Sequence, residues 1–138
     1  MTKIVPLVNA LKLTAAKLSK NTTRYQWGHM GQCNVGHLVQ TMTGMESVEI
    51  VKSIDCEMNE WTEHARSYCS KSGHKVEDLF DTMKQFGFGP QDVIHLENLS
   101  DRSVLENLPG GFRYLRKNSR DDVIEYMLSL ADFLAKAA

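Results

Sequence analysis

Apolar residues first recur at Ile4, Leu7, Val8, Leu11, Ala15 and Leu18, steps of three and four that lay one stripe along a helix of about 3.6 residues per turn. Pro6 is compatible with that helix because it lies in the first turn, where a missing N–H costs little. Asn21, Thr22 and Thr23 end the segment. From Tyr25 to Gly31 two glycines interrupt the chain and no period is kept, which predicts a loop. A second helix is expected over about residues 34–43, with Asn34 as the N-cap whose short amide accepts from an exposed backbone N–H. The pattern Thr43-x-x-Glu46 then predicts the opening of a third helix carried by Val48, Val51 and Ile54. A fourth is expected over about 60–69, with Trp61, Ala65 and Tyr68 near one face, stopped by the stretch from Ser70 to Gly73.

Val76, Leu79, Phe80 and Met83 give a compact amphipathic fifth helix, closed by Gly87 and Gly89. Pro90 stands where a first helical turn accepts it, ahead of Val93, Leu96 and Leu99. Ser100 and Asp101 can cap a short helix bearing Val104, Leu105 and Leu108, which Pro109, Gly110 and Gly111 terminate. Ser119-x-x-Asp122 opens the clearest helix, in which Val123, Met127, Leu130 and Leu134 repeat while Ile124 and Ala131 widen the stripe. No run alternates with period two, so no strand is expected. The expected fold is all-α: a compact irregular bundle of about seven or eight short helices, forming a single domain over residues 1–138.

The chain has 138 residues, 42% of them apolar and 24% charged, enough apolar surface for one core and no charge excess that would prevent folding. Its three cysteines, Cys33, Cys56 and Cys69, are an odd number without paired spacing and describe no disulfide framework, which predicts a reducing, cytoplasmic setting. The short apolar run near the N-terminus is broken by Asn9 and Lys12 and keeps helical spacing, so it reads as mature structure rather than a targeting segment. No apolar stretch approaches the roughly 20 residues of a membrane helix. A net charge of −1 and a pI near 6.5 disfavour nucleic acid as the main partner. The local exception is Phe112 to Arg120, where Arg113, Arg116, Lys117 and Arg120 interleave with Phe112 and Tyr114. Such a cluster can hold a phosphate or a single strand, although basic residues ahead of a helix are commonly a solvated face.

Candidate chemistry concentrates at His29, Cys33 and His37, spaced four apart. With Cys33 at the start of the second helix, Cys33 and His37 lie one turn apart on one face. In a thiol reading, the positive end of the helix favours the nucleophilic thiolate, an imidazole serves as base or counter-ion, and free N–H groups hold an oxyanion. No residue that orients His37 is identifiable. In a metal reading, thiolate and imidazole suit zinc or another transition metal, and His64, with Glu60 four residues before it, is the best further donor. No Cys-x-x-Cys or His-Glu-x-x-His motif occurs. The plain reading stands beside both: a lone cysteine is commonly an inert buried hydrophobe, and a histidine in a small domain is commonly structural. Gly36, inside the helix between the two, costs roughly 0.5–1 kcal/mol relative to alanine and calls for close approach of another helix or of a ligand.

Because stripes and caps explain most of the sequence and no complete catalytic set is visible, the expected function is a small helical binding or interaction module. Its partner would be a protein, a small molecule or a second copy of the chain, met through an exposed apolar patch. The alternative is a thiol- or metal-dependent enzyme with Cys33 and His37 as catalytic residues, or with His29, Cys33, His37 and His64 as ligands.

Overall fold

A computed structural model describes the backbone of residues 6–20, 25, 33–46, 50, 61 and 75–137, and the side chains of all of these except 75–79 and 137. Six helices are defined within them: α1 (Leu7–Leu18), α2 (Asn34–Thr43), α3 (Lys75–Gln85), α4 (Pro90–Asn98), α5 (Arg102–Glu106) and α6 (Arg120–Ala137). No strand occurs among the described residues, and none of their helices is long and apolar enough to cross a membrane. The expected seven or eight helices are thus not matched. The segments read as the third and fourth helices, around 46–54 and 60–69, lie almost wholly outside the described residues. Within them, the Ile50 N–H donates to the Glu46 carbonyl at 3.1 Å, a helical bond, and Ile50 and Trp61 are fully buried.

Local chemistry sets the helix ends. α1 starts after Pro6, which has no N–H to leave unsatisfied, and its last turn carries Lys17 beside the exposed carbonyls. α2 stops because Gly44 takes φ of 77°, a left-handed conformation free of cost only for glycine, and returns its N–H to the Gln40 carbonyl at 2.9 Å. Thr43, read as the opening of a third helix, instead belongs to the last turn of α2. Its hydroxyl donates to the Val39 carbonyl at 2.7 Å and accepts from the Met45 N–H at 3.2 Å. At α4, Pro90 fills the first position and the Asp92 carboxylate accepts from the Gly89 N–H at 2.9 Å. Asp101 caps α5 by accepting from the Ser103 N–H at 3.0 Å. Ser119 accepts from the Asp122 N–H at 3.4 Å as its pattern predicts, while the Asp122 carboxylate takes the Arg116 N–H at 2.7 Å in place of a return bond.

α1 packs most extensively against α6 and next against α2. Leu11, Ala15 and Leu18 of α1, Leu38 and Met42 of α2, and Val123, Met127 and Ala131 of α6 belong to one continuous core cluster. Each fully buried large aliphatic contributes about 1.5–3 kcal/mol over its exposed state. Trp61 meets Phe80 edge to face, ring centroids 5.6 Å apart at 61°. Polar contacts fix α5 and its cap against α6: the Ser129 hydroxyl donates to the Val104 carbonyl at 2.6 Å, and the buried Tyr126 hydroxyl accepts from the Asp101 N–H at 3.3 Å.

Candidate functional site

The N-terminus of α2 is capped by Cys33, not by Asn34 as the sequence suggests. Cys33 has extended backbone, with ψ of −170°, and its sulfur accepts from the Gly36 N–H at 3.4 Å. Asn34 occupies the first helical position and is completely buried. Its amide nitrogen donates across to α4, meeting the carbonyls of Leu96 at 3.1 Å and Glu97 at 3.0 Å, and the Lys117 carbonyl at 3.2 Å. In return Glu97, only 4% exposed, accepts from the Val35 N–H at 2.7 Å. The positive end of α2 therefore faces the negative end of α4. Each helix supplies the side chain that satisfies the other's orphan backbone groups, an exchange favoured by both dipoles.

Burial and this exchange together set the state of the thiol. Cys33 is 1% exposed. Burial and the facing Glu97 carboxylate, which also accepts a hydrogen bond from the thiol, push its pKa well up, and the opposing Gly36 and Val35 N–H groups do not overcome them. A helix N-terminus alone would favour the thiolate; here burial first, and the Glu97 side chain facing the same helix end second, keep the sulfur protonated at neutral pH.

Tyr25 closes the cluster on one side. Its hydroxyl lies 2.5 Å from Asn34 Oδ1 and 2.9 Å from the Lys117 carbonyl, so one proton serves two acceptors, and burial raises its pKa. Its ring stacks on His37, with centroids 6.3 Å apart and planes 18° from parallel. His37 is buried, its backbone N–H donates to the Cys33 carbonyl at 3.0 Å, and its Nδ1 has no hydrogen-bond partner among the described residues. Cys33 and His37 thus share the opening turn of α2, enclosed in protein. His29 and His64, the other proposed ligands, and Glu60, Cys56, Cys69 and His74 lie outside the described residues, among which no group of three or more metal-binding side chains occurs. His95 has a partner that its sequence neighbours did not reveal, Ser100 Oγ at 2.9 Å from Nδ1.

The basic segment ahead of α6 is engaged within the chain. Arg113 pairs with Glu125, Arg116 with Asp122 at 3.7 Å, and Arg120 donates to the carbonyls of Leu18 at 3.4 Å and Lys20 at 3.0 Å, capping the C-terminal end of α1. Lys117 contributes its carbonyl to Tyr25 and Asn34. Tyr114, 86% exposed, and Phe112 form an edge-to-face pair at 5.0 Å, with the Arg102 guanidinium 5.4 Å from the Phe112 ring.

A groove of about 360 Å³ opens between α5 and α6, lined by Asn107, Pro109, Glu125, Leu128, Ser129 and Asp132. Leu128, 47% exposed, and Pro109 supply its apolar surface. Asn107 braces one side, donating to the Ser129 carbonyl at 3.2 Å and to the Asp132 carboxylate at 3.1 Å, which Lys136 also meets at 2.8 Å. Sequence reasoning passed over this groove because Leu128 stands off the core stripe of α6 and Asn107 is 21 residues away from it. No protein-family model, no curated protein and no solved structure matches the chain.

Proposed function

We propose that the chain is a small helical binding module that recognises its partner through the groove between α5 and α6. The observation that carries this reading is the contrast in access. The reactive side chains at the start of α2, Cys33 and His37, are enclosed in protein, whereas the groove is open, partly apolar and edged by polar groups, as binding sites for small ligands and side chains are. Amide chemical shifts followed during titration with small apolar fragments test it. Shifts should gather on Asn107 and on 125–132; shifts scattered over the surface, or none, would sink the reading.

The thiol- or metal-dependent alternative is supported by one observation, that Cys33 and His37 share the first turn of α2. Elemental analysis of untagged protein and iodoacetamide labelling across pH decide between the two readings. Stoichiometric metal, or alkylation of Cys33 at pH 6, would establish the alternative. Metal-free protein whose Cys33 resists alkylation until it unfolds would leave the binding module standing.

A further inference from the structure

The polar rim of the α5–α6 groove is closed on itself. Asn107 has two amide protons, of which the Ser129 carbonyl takes one at 3.2 Å and the Asp132 carboxylate the other at 3.1 Å. Its amide oxygen accepts from the Lys136 ammonium at 3.3 Å. The Ser129 hydroxyl gives its proton to the Val104 carbonyl at 2.6 Å. Leu128 and Pro109 have no polar side-chain atom, so no side-chain donor is left over among these described lining residues.

The charges are closed in the same way. Arg113 pairs with Glu125, and Lys136 with Asp132 at 2.8 Å, while Lys12 of α1 also acts on Asp132. An anion entering the groove finds no donor waiting for it, and a cation has to displace one already in place, exchanging one weak exposed pair for another. What entry does change is apolar surface. Leu128, 47% exposed, and the exposed Pro109 lose water to whatever rests between them. A volume of about 360 Å³ lies at the small end of the range for small-molecule sites, and two exposed apolar residues fall far short of a protein interface, which buries about 800 Å² per partner.

Resting on the reading that this groove is the binding site, we propose that its ligand is an uncharged apolar small molecule of one or two rings, held by contact with Leu128 and Pro109. The Arg113–Glu125 pair and the Asn107–Asp132–Lys136 network act as a neutral frame that gives a charged ligand no advantage.

Three compounds that share one ring system and differ in charge test this: indole, tryptamine and indole-3-acetate, each titrated against the full chain by amide chemical shifts. Indole should perturb Asn107 and 125–132 with an affinity that raised salt leaves within about twofold, and neither charged relative should bind more than about twofold tighter. Leu128→Ala should weaken indole binding about fivefold. The double variant Glu125→Gln with Asp132→Asn should leave indole unchanged but, by freeing Arg113 and Lys136, should tighten indole-3-acetate about fivefold. All three substituted side chains are exposed, and circular dichroism confirms that the variants are folded. A charged relative that binds the native chain more tightly than that, indole binding that fades with salt, or variants without these effects would overturn the proposal and leave the groove reading intact. Apolar fragments that bind the groove when none of the three compounds does overturn the proposal alone; if nothing binds there, both it and the proposed function fall.

Discussion

The seam between α2 and α4 and the basic segment that leads into α6 do the same job with different groups. In each, polar side chains satisfy backbone groups left open at helix ends. Asn34 and Glu97 do this at the junction of α2 and α4, and Arg120 does it at the end of α1. What also differs is the surrounding medium. Asn34 and Glu97 are sealed from water, so losing one strands its partner without solvent to replace it. The arginines of the basic segment stay in contact with water, which takes over most of what a lost contact supplied. Equivalent hydrogen-bond diagrams therefore predict unequal energies, and a ladder of substitutions measures how unequal they are.

Asn34→Asp should have the largest effect. It keeps the shape but turns a two-proton donor, aimed at three carbonyls, into an acceptor near the Glu97 carboxylate. Urea unfolding should show a loss of about 4 kcal/mol, and a loss below 1 would place the seam in the same class as the basic segment. Glu97→Ala leaves the Val35 N–H buried without its acceptor and should cost about 3 kcal/mol by the same measurement. Alkaline pH comes next. The folded-state pKa of Cys33 lies above its ordinary value of 9.0, so the contribution of the protonated thiol is fully present below that value and is lost as pH rises beyond it. The decline should reach about 1.4 kcal/mol per pH unit for this group. Tyr25 and Tyr126, also raised by burial from an ordinary value of 10.0, should steepen the decline above pH 10, and Cys33→Ala should flatten only its first part. At the surface, Arg120→Ala should lower stability by about 1 kcal/mol through the uncapped end of α1. Arg113→Ala should change it by less than about 0.5 kcal/mol, shrinking further at high salt. An Arg113 effect as large as that of Glu97 would erase the distinction.

The periodic parts of the fold could be read from the chain because periodicity records burial. Leu7, Leu11, Ala15 and Leu18 lie inside as their spacing requires, and so do Val123, Met127, Leu130 and Ala131. Tyr126 and Phe88 were not read as core, one being a half-polar residue beside the stripe and the other standing between two glycines that signal a turn, yet both are buried. The seam was hidden for a different reason. Asn34 has the chemistry of an N-cap, and Glu97 looks like any charged residue of a surface helix. Their pairing across 63 residues exists only once α2 and α4 meet end to end. The proximity of Cys33 and His37 followed from helical spacing alone, but the protonation state of the thiol depended on its burial and then on Glu97, neither of which a local pattern linked to it.

Leu99 joins α4 to α5 with φ of 50°, a region in which a leucine is strained by about 1–2 kcal/mol, and the N–H groups of Leu99 and Ser100 both return to the His95 carbonyl. Glycine would adopt this bend freely, but the Leu99 side chain is 2% exposed within the core. The corner is therefore held against the preference of its own backbone by what the rest of the molecule wraps around it. A peptide excised over 90–108 would lack that wrapping and would straighten or fray at this point, so the direction in which α5 leaves α4 is acquired only when the chain collapses.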